Sequence, residues 1–191
     1  MFYYKNLKID DPSSVYSPRE DSELMAEALE KFIKPRATKL RAIEIGCGSG
    51  FLSILASKLG AKITSVDINP SAISTTLKNA QMNNVQLTAF QSDLFENVSN
   101  KFDLIFFNPP YLPDNDNIDG KETWAEGNTI ARFITQAKAH LIPNGSILLL
   151  ISSLTKTPAL NLLKKQGFTV EIIAKKKIPW EELSIILAKP I

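Results

Sequence analysis

The stretch RAIEIGCGSGFLSILASKLG, residues 41 to 60, contains a strand pattern, a glycine turn and a helix pattern in succession. The β-branched, apolar run RAIEI predicts a buried strand. The helical spacing of Phe51, Leu55 and Leu59 predicts an amphipathic helix that ends at Gly60. These elements form the first unit of an open α/β sheet, in which ligands bind beyond the carboxyl ends of the strands.

The rest of the chain continues this alternation of strands and helices. Further strands are predicted from KITSVD, VQLTAFQSD, DLIFFN and GSILLLISS, and the final runs FTVEIIAKKKI and LSIILAK predict an antiparallel pair. Helices are predicted over residues 20 to 33, with Ser17 or Asp21 as the cap, and through NPSAISTTLKNAQM, TIARFITQAKAHL and TPALNLLKKQG. Irregular structure is predicted for the first residues. We therefore expect an α/β fold with a seven-stranded, mostly parallel sheet, an antiparallel C-terminal strand and helices on both faces.

Composition limits the classes of protein to consider. With 191 residues, 44% hydrophobic and 22% charged, we expect one globular domain over residues 1–191, with the N-terminal segment and helix (1–35) packed on it. A formal net charge of +2 gives no strong reason to expect binding to a polyanion. One cysteine and one histidine exclude a disulfide framework and a zinc site built from Cys and His. Lacking a signal-peptide pattern and an apolar run of roughly 20 residues, the chain is expected to be cytoplasmic and not membrane-bound.

The glycine turn and two acidic residues predict a nucleoside ligand. Gly46, Gly48 and Gly50 would let a ligand lie against the backbone, but their even spacing matches neither the dinucleotide fingerprint nor a phosphate-binding P-loop. Glu44 would repel a pyrophosphate and suits a cationic amino group. Asp67, at the end of the second strand, can accept both hydroxyls of a ribose. Together they favour S-adenosylmethionine over NAD or ATP.

The stretch SDLF, residues 92 to 95, ends the third strand on the same edge of the predicted sheet. Asp93 can accept a hydrogen bond from an adenine exocyclic amine. Leu94 can supply a backbone N–H and an apolar contact. The stretch therefore predicts the adenine end of the same ligand site.

The stretch FFNPPYLP, residues 106 to 113, stops a strand at an asparagine because two prolines remove two backbone donors. Asn108 offers a side-chain carbonyl and Pro109 a backbone carbonyl, and two such acceptors can hold an N–H₂ group and stabilise the positive charge it gains in a transition state. Pro110 stiffens the turn, and Tyr111 can stack on a planar amide or base. This combination predicts methyl transfer to a planar nitrogen.

These motifs also carry a family resemblance. The order and spacing of EIGCGSG, VDIN, SDLF and NPPY resemble those of class I S-adenosylmethionine-dependent methyltransferases that act on planar nitrogen. A closer resemblance, over about residues 10 to 188, is to the HemK-like release-factor glutamine methyltransferases, in their compact archaeal and eukaryotic branch. It is carried by VYSPREDSELMAEAL, by NPPYLP with TWAEG, and by the ending EELSIIL. The resemblance implies a Rossmann-like class I methyltransferase fold. The implied acceptor is the side-chain amide of the glutamine in the Gly-Gly-Gln motif of a class I peptide chain release factor.

The resemblance, together with the glycine turn, also assigns site residues and partners. The catalytic residues are expected to be Asn108, Pro109, Pro110 and Tyr111, and the cofactor site is expected to be lined by Ser22, Glu44, Gly46, Gly48, Gly50, Asp67, Ile68, Asp93, Leu94 and Asn108. Compact relatives work with a small zinc-binding activator subunit. The resemblance thus implies a heterodimer with any zinc on the partner, and no metal site in this chain.

Other functions remain open from the sequence. An RNA or DNA amino-methyltransferase acting on adenine N6 or guanine N2 would use the same four residues of NPPY, although no recognition domain is visible and nucleic-acid binding is not favoured. A non-catalytic cofactor-binding module is disfavoured by the asparagine beside an intact glycine turn. A dehydrogenase is disfavoured by the spacing of the glycines.

Overall fold

The computed structural model describes residues 1–36, 40–110, 123–155 and 157–191, with side chains except at 36 and 123–128. The strands in these ranges are β1 (Phe2–Tyr4), β2 (Leu7–Ile9), β3 (Arg41–Ile45), β4 (Lys62–Asp67), β5 (Thr88–Gln91), β6 (Phe102–Phe107), β7 (Leu141–Ser152), β8 (Phe168–Ile178) and β9 (Glu181–Pro190). The helices are α1 (Glu20–Ile33), α2 (Phe51–Lys58), α3 (Pro70–Met82), α4 (Thr123–Ala137) and α5 (Ala159–Lys165).

The main sheet has, within the described ranges, seven strands in the order β5-β4-β3-β6-β7-β9-β8. Strands β3 to β7 are mutually parallel, β9 is antiparallel to β7, and β8 is antiparallel to β9. The predicted fold class is therefore confirmed, including the antiparallel C-terminal strand. The chain adds β4 and β5 on one side of β3 and then β6 and β7 on the other side, so β4 and β6 flank β3. Because these strands are parallel, the turns that follow β3, β4 and β6 lie at the same edge of the sheet.

Helices cover both faces of the sheet, as predicted. The apolar cluster on one face includes Leu29 of α1 and Phe51 of α2, and the cluster on the other face includes Phe133 of α4 and Leu163 of α5. Successive residues of β6 alternate between the two clusters, with Phe106 in the first and its neighbours in the second. A strand buried on both faces reads as a continuous apolar run, which explains the composition of DLIFF.

The prediction of irregular structure for the first residues is wrong, because β1 and β2 form an antiparallel hairpin. Two asparagine side chains, at the end of α3 and directly after it, fix the hairpin in place. The Asn83 side chain exchanges hydrogen bonds with the backbone of Lys8 at 3.1 and 2.7 Å, and the Asn79 side chain does the same with Asp10 at 2.8 and 2.7 Å. A three-residue strand with one wet face has little local signal, so this hairpin depends on tertiary contacts.

None of the helices in the described ranges is long and apolar enough to cross a lipid bilayer.

Candidate active site

A cleft of about 740 Å³ opens at the carboxyl ends of the central parallel strands. The segment before α1, the glycine turn after β3, and the ends of β4 and β6 all border it. Of the residues predicted from the sequence, those that line it are Ser22, Glu44, Gly46, Gly48, Asp67, Ile68, Asp93, Leu94, Asn108, Pro109 and Pro110. Tyr111 lies outside the described residues. One cleft thus brings together the glycine turn, the strand-end acids and the NPP sequence.

Gly50, which is also predicted for the cofactor site, is not among the residues that line the cleft. It has a φ of +77°, and a Cβ added to it would lie 2.7 Å from Oγ1 of Thr76 on α3. The glycine is therefore needed for close packing of the start of α2 against α3, rather than for contact with a ligand. Gly48 also has a positive φ, +52°, but among the described residues a Cβ there would meet only the Tyr16 carbonyl oxygen, at 3.9 Å.

This difference gives a stability prediction. Gly48→Ala is expected to cost roughly 1–2 kcal/mol because an L-residue is strained at positive φ. Gly50→Ala should cost roughly 1–3 kcal/mol more, since the added methyl also overpacks against Thr76. Urea unfolding of both variants measures the difference. An equal loss of unfolding free energy in the two variants would show that Thr76 can move away from the added methyl group without cost.

Asp67 connects the glycine turn to the turn after β4. One carboxylate oxygen accepts from the Gly48 backbone N–H at 2.9 Å, and the other accepts from the Asn69 N–H at 2.9 Å. Each carboxylate oxygen can accept more than one hydrogen bond. The side chain is thus held rigidly at the wall of the cleft and keeps acceptor capacity for a ligand diol.

Glu44 is almost completely buried, with 2% of its surface exposed. The hydroxyl of Ser53 donates to its carboxyl group, and the Ser53 and Ser65 hydroxyl oxygens lie 2.6 Å apart. Burial raises the pKa of Glu44 to about 8 despite these hydrogen bonds. Without a nearby cation, Glu44 is therefore mostly protonated at neutral pH, and a cation at the cleft wall would favour its ionised form.

Cys47 lies in the glycine turn but has the properties of a structural residue. It is buried, and the Thr76 hydroxyl donates to its Sγ at 3.3 Å. Burial, with a smaller effect of the Glu44 carboxylate, raises the pKa of the Cys47 thiol well above its usual range. A buried, protonated thiol is a poor nucleophile.

Asp93 has a partner that the sequence did not indicate. Its carboxylate accepts a hydrogen bond from the guanidinium of Arg132 at 2.8 Å, and both side chains line the cleft. Arg132 lies on α4, where the sequence pattern resembles any exposed helix position. The next residue after Asp93, Leu94, has a φ of +50°, which is unusual for a residue with a Cβ and is typical of functional sites.

Asn108 follows the last residue of β6 and is oriented by Asp21. The Asn108 Nδ2 donates to Oδ2 of Asp21 at 2.9 Å, and the Tyr16 hydroxyl donates to the same oxygen at 3.0 Å. The Asn108 Oδ1 is buried and has no hydrogen-bond partner among the described residues. Because buried polar atoms are almost always paired, this oxygen indicates a place for a donor that arrives with a ligand.

The predicted capping role of Asp21 or Ser17 is wrong. The N-cap of α1 is Arg19, without a side-chain cap, and Asp21 turns toward the cleft instead. Neither Asp21 nor Tyr16 stood out as a site residue in the sequence, because an acid in the first turn of a helix has an ordinary explanation in the helix dipole.

Comparisons with known proteins identify the family. Residues 6–178 match the methyltransferase small domain family. The chain is 43% identical over 194 residues, covering 96% of both chains, to MJ0928 of Methanocaldococcus jannaschii, to which the activity of a protein N5-glutamine methyltransferase is ascribed. It is 32% identical over 190 residues to the human methyltransferase HEMK2, covering 91% of this chain and 89% of HEMK2.

A solved structure supports the same fold. In the Mtq2–Trm112 complex of E. cuniculi, described as responsible for methylation of the eRF1 translation termination factor, the similar chain has a TM-score of 0.72 and 24% identity. The similarity covers 93% of this chain and 99% of that chain. The sequence matches and this fold have one consistent explanation: the protein belongs to the methyltransferase small domain family, within the compact HemK-like group.

Proposed function

We propose that this methyltransferase transfers a methyl group from S-adenosylmethionine to the side-chain amide nitrogen of the glutamine in the Gly-Gly-Gln motif of a class I peptide chain release factor. The observation that supports this most directly is the buried, unpaired Oδ1 of Asn108 in the same cleft as the glycine turn. The activity ascribed to MJ0928, at 43% identity, supports the choice of a glutamine amide.

The cleft fits the cofactor in size and in the chemistry of its lining. Its volume of about 740 Å³ lies within the range usual for small-molecule sites. Asp67 would accept from the ribose hydroxyls, and Glu44 would face the cationic amino group. Asp93 and Leu94 would contact the adenine, with Ser22 and Ile68 completing the walls. None of these residues forms a phosphate cradle, which distinguishes the site from one for NAD or ATP.

The chain's own residues would act mainly by orienting the acceptor. When bound, S-adenosylmethionine supplies a methyl group that is already activated by a sulfonium centre. An amide nitrogen attacks poorly because its lone pair is delocalised. Asn108 Oδ1 and the Pro109 carbonyl would accept from its two N–H bonds and stabilise the charge that develops on it. This arrangement requires no general base before transfer, because the nitrogen loses one of its two N–H protons, to solvent, only after it has gained the methyl group.

We further propose that residues 1–191 form one methyltransferase domain that works in the cytoplasm as a heterodimer with a small zinc-binding activator subunit. The hairpin β1–β2 and helix α1 pack on the same apolar cluster as α2, which supports a single domain. The Mtq2–Trm112 complex supports a two-subunit enzyme, because a chain of that complex has the same fold over nearly its full length.

A labelling experiment tests the substrate. The protein, alone and with a candidate activator, is incubated with methyl-labelled S-adenosylmethionine and either a class I release factor or total RNA. We expect label in the release factor and none in a release factor whose Gly-Gly-Gln glutamine is replaced by alanine. Label that enters only RNA would contradict the proposal and would indicate an amino-methyltransferase acting on adenine N6 or guanine N2.

A further inference from the structure

The carboxylate of Asp21 lies directly behind the carboxamide of Asn108, on the side away from its unpaired oxygen. Asp21 is on α1 and Asn108 follows β6, so the pair joins two elements far apart in sequence. Both line the cleft, and Asp21 has only 2% of its surface exposed. The 2.9 Å contact is thus partly buried, and a hydrogen bond to a charged group is stronger there than in open solvent.

The contact can exist in only one orientation of the Asn108 amide. An asparagine side chain has a donor end and an acceptor end of nearly equal size, and its hydrogen-bond partners decide which end points where. A carboxylate can only accept, so it binds the Nδ2 end and repels the Oδ1 end. The other end, which faces away from Asp21, must then be the carbonyl oxygen.

Asp21 is itself held in place by donors on both of its oxygens. Oδ1 accepts from the Ser22 backbone N–H at 2.6 Å, and Oδ2 accepts from the Tyr16 hydroxyl as well as from Asn108. The carboxylate therefore cannot rotate away without losing several hydrogen bonds. Its charge also polarises the amide through the shared hydrogen bond, which makes Oδ1 of Asn108 a better acceptor.

We infer that Asp21 is the positioning residue that fixes the Asn108 carboxamide with its oxygen toward the methyl acceptor, and so makes the site selective for an acceptor nitrogen that carries N–H bonds. This inference rests on the proposed function in its assignment of Asn108 to the acceptor. It adds a residue, in the first turn of α1, that would act on the reaction only through Asn108.

The variant D21N tests this directly, because it keeps the size of the side chain and removes one acceptor. In D21N the side-chain carbonyl oxygen would still accept from the Ser22 N–H, so the side-chain N–H₂ group would face Asn108. The Asn108 carboxamide would then rotate so that its oxygen accepts from that group and its Nδ2 points toward the acceptor. Turnover is expected to fall roughly 100-fold, the size of effect seen when one preorganised partner of a transition state is lost. The dissociation constant for S-adenosylmethionine, measured by calorimetry, is expected to stay within about threefold.

The matched control is E23Q, the same change of carboxylate to amide in the same turn of α1. The Glu23 carboxylate pairs with Lys176 at 3.3 Å, and Glu23 does not line the cleft. E23Q is expected to keep wild-type turnover. Turnover is expressed per cofactor-binding site found by titration, so that misfolded protein is not counted. A D21N enzyme with wild-type turnover, or an equal loss in E23Q, would overturn the inference.

The exchange variant D21N/N108D separates positioning from a merely structural role. The amide introduced on α1 can then donate to one oxygen of the carboxylate introduced after β6, and the other oxygen of that carboxylate again faces the acceptor. We expect at least a tenfold recovery of turnover over D21N, and a double variant no more active than D21N would overturn the inference. All variants are assayed with the acceptor that the wild-type enzyme methylates, whether release factor or RNA. The test of Asp21 is therefore valid even if the proposed release-factor substrate is wrong.

Discussion

Replacing Asn108 with alanine is expected to lower turnover by roughly 100-fold to 1000-fold while the affinity for S-adenosylmethionine changes by no more than about threefold. The buried Oδ1 of Asn108 has no partner among the described residues, so it is free to accept from the acceptor nitrogen. Loss of one preorganised group that stabilises developing charge costs about this much in other enzymes. Single-turnover kinetics and calorimetric titration with the cofactor measure the two quantities separately.

Asn97→Ala serves as the control for this prediction. Asn97 is an exposed asparagine outside the cleft, with its side-chain amide donating to the Gln91 backbone carbonyl at 3.0 Å. The same substitution there is expected to leave turnover unchanged. If Asn108→Ala instead weakens cofactor binding as much as it slows turnover, the side chain serves the cofactor and the assignment to the acceptor is wrong.

The parts of the fold predicted correctly are those with strong local patterns. The apolar spacing of residues 20 to 33, which continues to a proline stop, predicts helix α1 with the bounds that it has, Glu20–Ile33. The doubly covered strands were found because burial on both faces requires a continuous apolar run. The edge of the sheet that holds the cleft followed from the alternation of strands and helices alone.

The features missed are those that depend on contacts between distant residues. Nothing near Asp21 in the sequence indicates that its partner is Asn108, 87 residues away. The pairing of Asp93 with Arg132 joins a strand end to a helix in the same manner. Gly50 belongs to the same glycine turn in the sequence as Gly46 and Gly48, but a Cβ added to it would lie against Thr76 on α3. Periodicity carries no information on such contacts.

Glu44 is expected to make the cofactor-free protein less stable as the pH rises. The pKa of Glu44 in the folded protein is about 8 because of burial, whereas an unfolded glutamate titrates near 4.5. Between these values the folded state binds more protons than the unfolded state, so the free energy of unfolding falls with increasing pH and levels off above about pH 8. The loss from pH 4 to pH 7 is about 3 kcal/mol.

Glu44→Gln is the variant that isolates this effect, because glutamine has nearly the same shape and does not titrate. Urea unfolding of both proteins without cofactor, at pH 5, 6, 7 and 8, should give a difference in free energy of unfolding that grows with pH in favour of the variant. Other titrating groups are common to both proteins and cancel in the difference. Parallel stability curves would show that Glu44 is ionised in the empty cleft.

The same carboxyl group predicts release of a proton when the cofactor binds. If the amino group of S-adenosylmethionine lies beside Glu44, its positive charge lowers the pKa of the carboxyl group, which then loses its proton. Calorimetric titrations at pH 7 in two buffers of different ionisation enthalpy should give close to one more proton released by the wild type than by Glu44→Gln. Equal proton counts would place the amino group elsewhere in the cleft.

The affinity for the cofactor is also expected to rise with pH between pH 6 and pH 8. Glu44 is protonated in the empty site and would be ionised in the filled site, so binding requires removal of a proton. Each unit of increase in pH lowers the free-energy cost of removing that proton.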